Sequence, residues 1–292
     1  MELYATVPDT LNPPGPGRNV ATLKVCGVFS SALYMELTTG PVYLLHSSEY
    51  GLLPFGFGVK DIRLALAILN IDVGEVIQWS SKKLTFPNGT SILLSKNAMP
   101  ELEQGYGCNI SDFALQRAVQ ILRNSGRGAV SELVTQEQKS CEAQGESVFS
   151  QMARRPLQGL LNGLEEKSSL KIQQALNRLI GLGPGLTPSM DDFLTGVLCT
   201  LHYVERCWDT ILPSTKILSE VVQEIAPQRT GKYSQAYLLA AARGQRFQII
   251  ERVLSTFSQN AIDSLLMVGG HSGADMLTGI LWAVRHVVKT VK

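Results

Sequence analysis

Two ten-residue runs concentrate the side chains of this chain that could do chemistry. Residues 189–198 read SMDDFLTGVL and residues 272–281 read SGADMLTGIL, with six of ten positions identical and an offset of 83 residues. Each run follows a glycine-rich stretch, GLGPGLTP at 181–188 and GGH at 269–271. A match this dense points to an internal duplication or to one device used twice. Ser189 and Ser272 fall where a helix N-cap is expected, and Asp192 and Asp275 follow three residues later. A carboxylate there reaches back to the cap N–H and favours the positive end of the helix dipole. Thr195-Gly196 and Thr278-Gly279 then share a helical face with the aspartates. A mid-helix glycine costs about 1 kcal/mol against alanine. Its repetition suggests close packing of the two helices about a pseudo-twofold axis.

Two readings of the pair stand side by side. One is structural: two capped helices packed through small residues. The other is a binding site, in which two helix N-termini converge on a small anion. Gly181, Gly183, Gly185, Thr187 and Ser189 would cradle it on one side, and Gly269, Gly270 and Ser272 on the other. Arg229, in the run RTGKYS, is a candidate bidentate partner for a carboxylate or phosphate. His271, between glycine and serine, is a candidate general acid, with Asp192 and Asp275 as further catalytic candidates. The acidic residues repel an anion. They must therefore turn inward as caps, or Asp191, Asp192 and Asp275 must hold a cation such as Mg²⁺ with Thr195 or Ser272. A Mg²⁺-dependent hydrolase is thus an alternative, and a non-catalytic ligand-binding scaffold a third.

These residues need rigid elements behind them. The first hundred residues read as strands: 22–30, 32–37, VYLLHS, GEVIQWS, and a hairpin KLTFPNGTSILLS turning at Asn88-Gly89. YGLLPFGFGVK reads as a Gly/Pro-rich loop and is followed by a helix over 62–69. His46, at the end of the strand before that loop, is expected as a packed histidine or as a residue facing a cleft. Beyond about residue 106 the period becomes helical, with segments near 111–123, 145–163, 169–180, 190–206, 214–225, 232–242, 246–257 and 273–289. The expected class is α+β: a β-rich barrel or sandwich over 1–106, then a mainly helical domain over 107–292. The boundary falls at Pro100 and Gly105-Tyr106-Gly107.

Composition narrows the function classes. Lys plus Arg is 26 and Asp plus Glu is 25, a net charge of +1, which speaks against a nucleic-acid binder. No window approaches the length of an apolar membrane span, and no basic-apolar leader is evident. Five cysteines, Cys26, Cys108, Cys141, Cys199 and Cys207, show no CxxC spacing, which fits a reducing cytoplasm. There is no HExxH. Only 17% of residues are charged, so either the core is large or another chain covers part of the surface.

The run GLGPGLTPSMDDFLTG, followed by Gly270-His271-Ser272 and Asp275, resembles the AllH-like family. The resemblance covers most of the chain. Met190 stands where many of those relatives have glycine. The resemblance implies a subunit of an oxamate carbamoyltransferase of purine degradation, moving a carbamoyl group between oxalurate, or a related amide, and phosphate. It also implies a small anionic substrate and FdrA-like and AllG-like partner chains. A second copy of the chain is a further candidate partner. No cofactor beyond Mg²⁺ is suggested. Partner chains favour the covered-surface reading of the low charge content.

Overall fold

Alternation shapes the first hundred residues. Ala21, Leu23 and Val25 are buried while Val20, Thr22 and Lys24 face solvent, as a half-buried strand requires. The computed structural model describes residues 3–13, 20–38, 40–99, 111–135 and 147–288. Its strands are β1 (Leu3–Pro8), β2 (Val20–Phe29), β3 (Ala32–Leu37), β4 (Val42–Ser47), β5 (Gly56–Val59), β6 (Val76–Ser80), β7 (Lys83–Thr85) and β8 (Ser91–Asn97), with helix α1 (Ile62–Leu69) between β5 and β6. They close into a barrel in the order β1-β5-β4-β3-β2-β6-β7-β8. The neighbours are antiparallel except β4 with β5 and β8 with β1, which run parallel. Closure leaves no edge strand to pair with another chain. Tyr43, Phe57 and Trp79 cluster in the interior, Trp79 meeting both other rings edge-to-face.

Two strands depart from the sequence expectation. β1 lies ahead of the first strand read from the pattern, and β5 lies within the segment read as a loop. Gly56 and Gly58 suit a strand here because its neighbours approach so closely: a Cβ on Gly56 would lie 2.5 Å from His46 Nε2. The Asn88-Gly89 turn also differs. Only Gly89 takes a positive φ, while Asn88 reaches the carbonyls of Ile68 and Leu69.

The remaining elements are α2 (Asp112–Ser125), α3 (Glu132–Thr135), α4 (Val148–Glu165), α5 (Ser169–Leu179), α6 (Ser189–Trp208), α7 (Pro213–Arg229), α8 (Lys232–Ala242), α9 (Gln248–Thr256), α10 (Gln259–Leu266) and α11 (Ser272–His286). The short α3 and the eight-residue α10 were not expected. The chain forms two compact units, Met1–Glu101 with Arg246–Gln248, and Leu102–Gln245 with Ile249–Lys292. The boundary punctuation at Pro100 and Gly105-Tyr106-Gly107 lies outside the described residues, as do Cys108 and Cys141. Helices α6 and α11 form the centre of the helical unit. Sixteen residues of α6 and twelve of α11 are buried, so both are apolar nearly all round. Among the described residues, no helix is long and apolar enough to cross a membrane.

Candidate functional site

The two repeated helices pack through their glycines. A Cβ on Gly196 would lie 2.1 Å from the Met276 carbonyl oxygen, and one on Gly279 would lie 2.0 Å from that of Phe193. Adding the 83-residue offset to Gly196 and subtracting it from Met276 yields the other contact, so the pair obeys a local twofold. The threonines obey it too: Thr195 donates to the Asp191 carbonyl at 2.9 Å and Thr278 to that of Ala274 at 2.8 Å. Thr195 is therefore held by its own helix.

Neither serine is an N-cap. Helix α6 begins at Ser189 after Pro188, and α11 begins at Ser272 after His271; no side chain caps either helix. Proline fixes its own extended backbone, and the preceding loops close over the first turns. Met190 N–H donates to Leu182 O at 2.9 Å and Gly273 N–H to Val268 O at 3.0 Å. This shift places Ser189 and Ser272 inside their helices, one residue further along than expected. Their hydroxyls are exchanged across the axis. Ser272 favours the charged form of Asp192, and Ser189 favours that of Asp275.

Thr187 completes one side, donating to Asp192 Oδ2 at 2.9 Å and lying 3.0 Å from Ser272 Oγ. Asp275 Oδ1 accepts from Val130 N–H at 3.2 Å, while Oδ2 is buried without a hydrogen-bond partner. Both carboxyls are buried, Asp275 completely. Burial raises the Asp275 pKa to about 6, against opposing help from Ser189, the backbone of Val130 and Ala129, and the nearby His271. Burial likewise raises Asp192 well above the usual carboxylate range, with the Asp275 charge adding to it. Two carboxyls pushed upward together are suited to proton transfer near neutral pH.

Asp191 does something else. It accepts from Gly181 N–H at 2.8 Å, from Ser234 Oγ at 2.7 Å and from Thr230 Oγ1. It ties the glycine-rich loop to the α7–α8 junction, and burial raises its pKa against those bonds. Gly181 and Gly183 adopt φ of +85° and +121°, and added Cβ atoms would lie 2.5 Å from Arg229 O and Ser189 N. Gly185, Gly269, Gly270 and His271 are exposed in the loops ahead of the two helices. Arg229 is not brought to the aspartates: its guanidinium donates to the Asn177 carbonyl at the end of α5. Among the described residues, no group of three or more carboxylate, histidine or cysteine side chains is placed to hold a metal ion. His46 is buried in the barrel unit, bonded to Ser47 O at 2.8 Å and stacked on Tyr50, and burial lowers its pKa to about 4.

Sequence reasoning missed Thr230, Ser234 and the Ala129-Val130 backbone. The run RTGKYS stood out for its arginine, whereas its hydroxyls make the contacts. Backbone donors such as Val130 N–H leave no residue-type signal.

The chain is thus an α+β protein whose barrel precedes a helical unit built on a duplicated, carboxyl-bearing helix pair. Residues 179–284 match the family model described as oxamate carbamoyltransferase subunit AllH. The matched stretch contains both glycine-rich loops and both repeated runs, so the resemblance seen in the sequence holds there. No curated protein and no solved structure matches the chain.

Proposed function

We propose that this chain is a subunit of a carbamoyltransferase acting on the oxamate and carbamoyl phosphate class of substrates, with Asp192 and Asp275 as its catalytic carboxyls. The observation that carries the reading is the orphaned Oδ2 of fully buried Asp275. A buried acceptor without a donor is costly, by about 1–3 kcal/mol, and invites a ligand that supplies one. The NH₂ of oxamate or of a carbamoyl group is such a donor. Thr187, Ser189 and Ser272 would orient the amide beside the two carboxyls. The exposed loop glycines Gly185, Gly269 and Gly270, with half-buried Gly183 and with His271 at the head of α11, would admit the anionic end. Arg229 enters this scheme only if the loop rearranges.

The chemistry follows from the raised pKa values. Phosphate oxygen attacks the carbamoyl carbon of oxalurate, the C–N bond to oxamate breaks, and the departing nitrogen takes a proton. A carboxylic acid with a pKa of about 6 can supply that proton and recover it in the reverse direction. No covalent nucleophile is required, so positioning and charge stabilisation carry the rest. The complex would be cytoplasmic and would include partner subunits of the FdrA-like and AllG-like kinds. The barrel (1–106) and the helical region (107–292) would act in it as separate domains.

The test is carbamoyl transfer from oxalurate to phosphate by the chain reconstituted with such partners. Asp275→Asn should lower kcat by about 100-fold or more, the usual contribution of a positioned general acid, with the chain still folded. Full activity of folded Asp275→Asn, or no transfer by the reconstituted complex, would overturn the proposal.

A further inference from the structure

A groove whose lining includes neither Asp192 nor Asp275 lies in the hairpin of α4 and α5. These helices are in tightest contact near their connection, where a Cβ on Gly163 would lie 2.9 Å from Ile172 Cγ1 and 3.0 Å from its backbone nitrogen. One turn further along α4 the contact has slackened: at Gly159 the nearest atom would be Ala175 Cβ at 3.9 Å. Along the same face the hairpin carries an open, solvent-facing groove of about 690 Å³, with Pro156, Gly159 and Ala175 between the exposed side chains of Arg155, Asn162, Lys171 and Arg178. That volume falls in the range of small-molecule sites, roughly 300–1,000 Å³. Small floor residues leave the space unfilled.

The walls are cationic. Arg155 comes from α4, and Arg178 and Lys171 from α5. The Gln174 side-chain amide adds a neutral donor, and no carboxylate lines the groove among the described residues. Lys171 is partly neutralised by Glu166 at 2.6 Å, on the exposed side. Arg229, bonded to the Asn177 carbonyl at the rim, adds a fourth positive charge nearby. In a chain of net charge +1, Arg155, Arg178 and Arg229 form a local positive excess here, with Glu166 countering Lys171 alone. One guanidinium on each wall suits a ligand with two anionic groups, since each can bind a phosphate or carboxylate bidentately.

We propose that this groove binds a small dianion bearing phosphoryl or carboxylate groups, independently of the function proposed for Asp192 and Asp275. The groove is larger than a bare phosphate needs, so the two charges are expected at opposite ends of a compact body. The full-length chain is titrated calorimetrically at physiological salt with inorganic phosphate, pyrophosphate and succinate. Binding of pyrophosphate or succinate more tightly than phosphate is expected, and which of the two wins separates a phosphoryl from a carboxylate ligand. Arg155→Gln and Arg178→Gln should each weaken binding about tenfold, the loss expected for one charged hydrogen-bonding partner. Arg63→Gln, an exposed cation on α1, controls for overall charge and should bind as the parent does. Circular dichroism checks that the exposed variants stay folded. The proposal is overturned if none of the three ions binds below about 10 mM, a weak limit on the affinity scale. It is equally overturned if both arginine variants bind like Arg63→Gln, or if a poly-glutamate peptide binds while the small ions do not, which would mark a protein-docking surface.

Discussion

Asp275→Asn makes the energetic cost of the site measurable. Asp275 is completely buried, and its pKa rises from 3.8 to about 6 on folding. At about 1.4 kcal/mol per pH unit, the ionised carboxyl lowers stability by about 3 kcal/mol relative to the neutral acid. The sign follows from proton uptake. Between pH 3.8 and 6 the folded chain holds a proton that the unfolded chain has released, so stability falls as pH rises through that window. Asparagine has nearly the same shape, can still accept from Val130 N–H through its amide oxygen, and carries no charge at any of these pH values. The difference in unfolding free energy between Asp275→Asn and the parent should therefore grow in favour of the variant by about 2.5 kcal/mol from about pH 4 to about pH 7. Urea denaturation at half-unit pH steps, monitored on the helical signal, measures this difference. Taking the difference cancels titrations common to both proteins. What remains is the electrostatic coupling of Asp275 to its neighbours Asp192 and His271. A difference that stays constant over this range would refute the argument, because Asp275 would then ionise as freely in the folded chain as in the unfolded one.

Other substitutions probe the surrounding design. Gly279→Ala places a methyl 2.0 Å from Phe193 O, so α6 and α11 must separate; a loss of about 3 kcal/mol or more is expected from overpacking, read as a drop in Tm. Gly196→Ala should behave alike, since its clash at 2.1 Å is the symmetry mate. Asp191→Ala leaves the Gly181, Thr230 and Ser234 donors without their acceptor and should destabilise by at least about 2 kcal/mol, with faster amide exchange at Gly181. His46 has the opposite pH signature to Asp275. Its pKa falls from 6.5 to about 4, so the unfolded chain takes up a proton first and stability drops as pH falls from 6.5 to 4; His46→Gln should remove that dependence in the barrel unit.

The duplication was legible because it is written in residue types: Gly196 and Gly279 announced the close helix contact, and Asp192 and Asp275 marked the buried carboxyl pair. The order of strands then helices followed from a change of period that local composition carries. Other features were written in tertiary contact. β5 reads GFGV, and its glycines look like loop punctuation until His46 is seen to occupy the space a side chain would need. The cap positions slipped by one residue because a serine ahead of an apolar run resembles a cap, and only the chain path shows Pro188 and His271 there instead. Arg229 was grouped with the glycine loops for its bidentate donor chemistry, but its guanidinium donates to the Asn177 carbonyl instead.

The exchange of hydroxyls across the α6–α11 axis has a consequence for ancestry. Each run lends its serine to the aspartate of the other, and each glycine admits the other's backbone. A polypeptide with one copy of the run would lack the serine hydroxyl that its carboxyl takes from the other copy and would leave its glycine without the backbone it admits. Such a polypeptide would complete itself by pairing with an identical molecule, in the same geometry that one chain now contains. Once fused, the two halves are free to diverge, and they have done so where the symmetry is not needed. Asp191 is matched by Ala274, and only the first half binds the α7–α8 junction through that extra carboxyl.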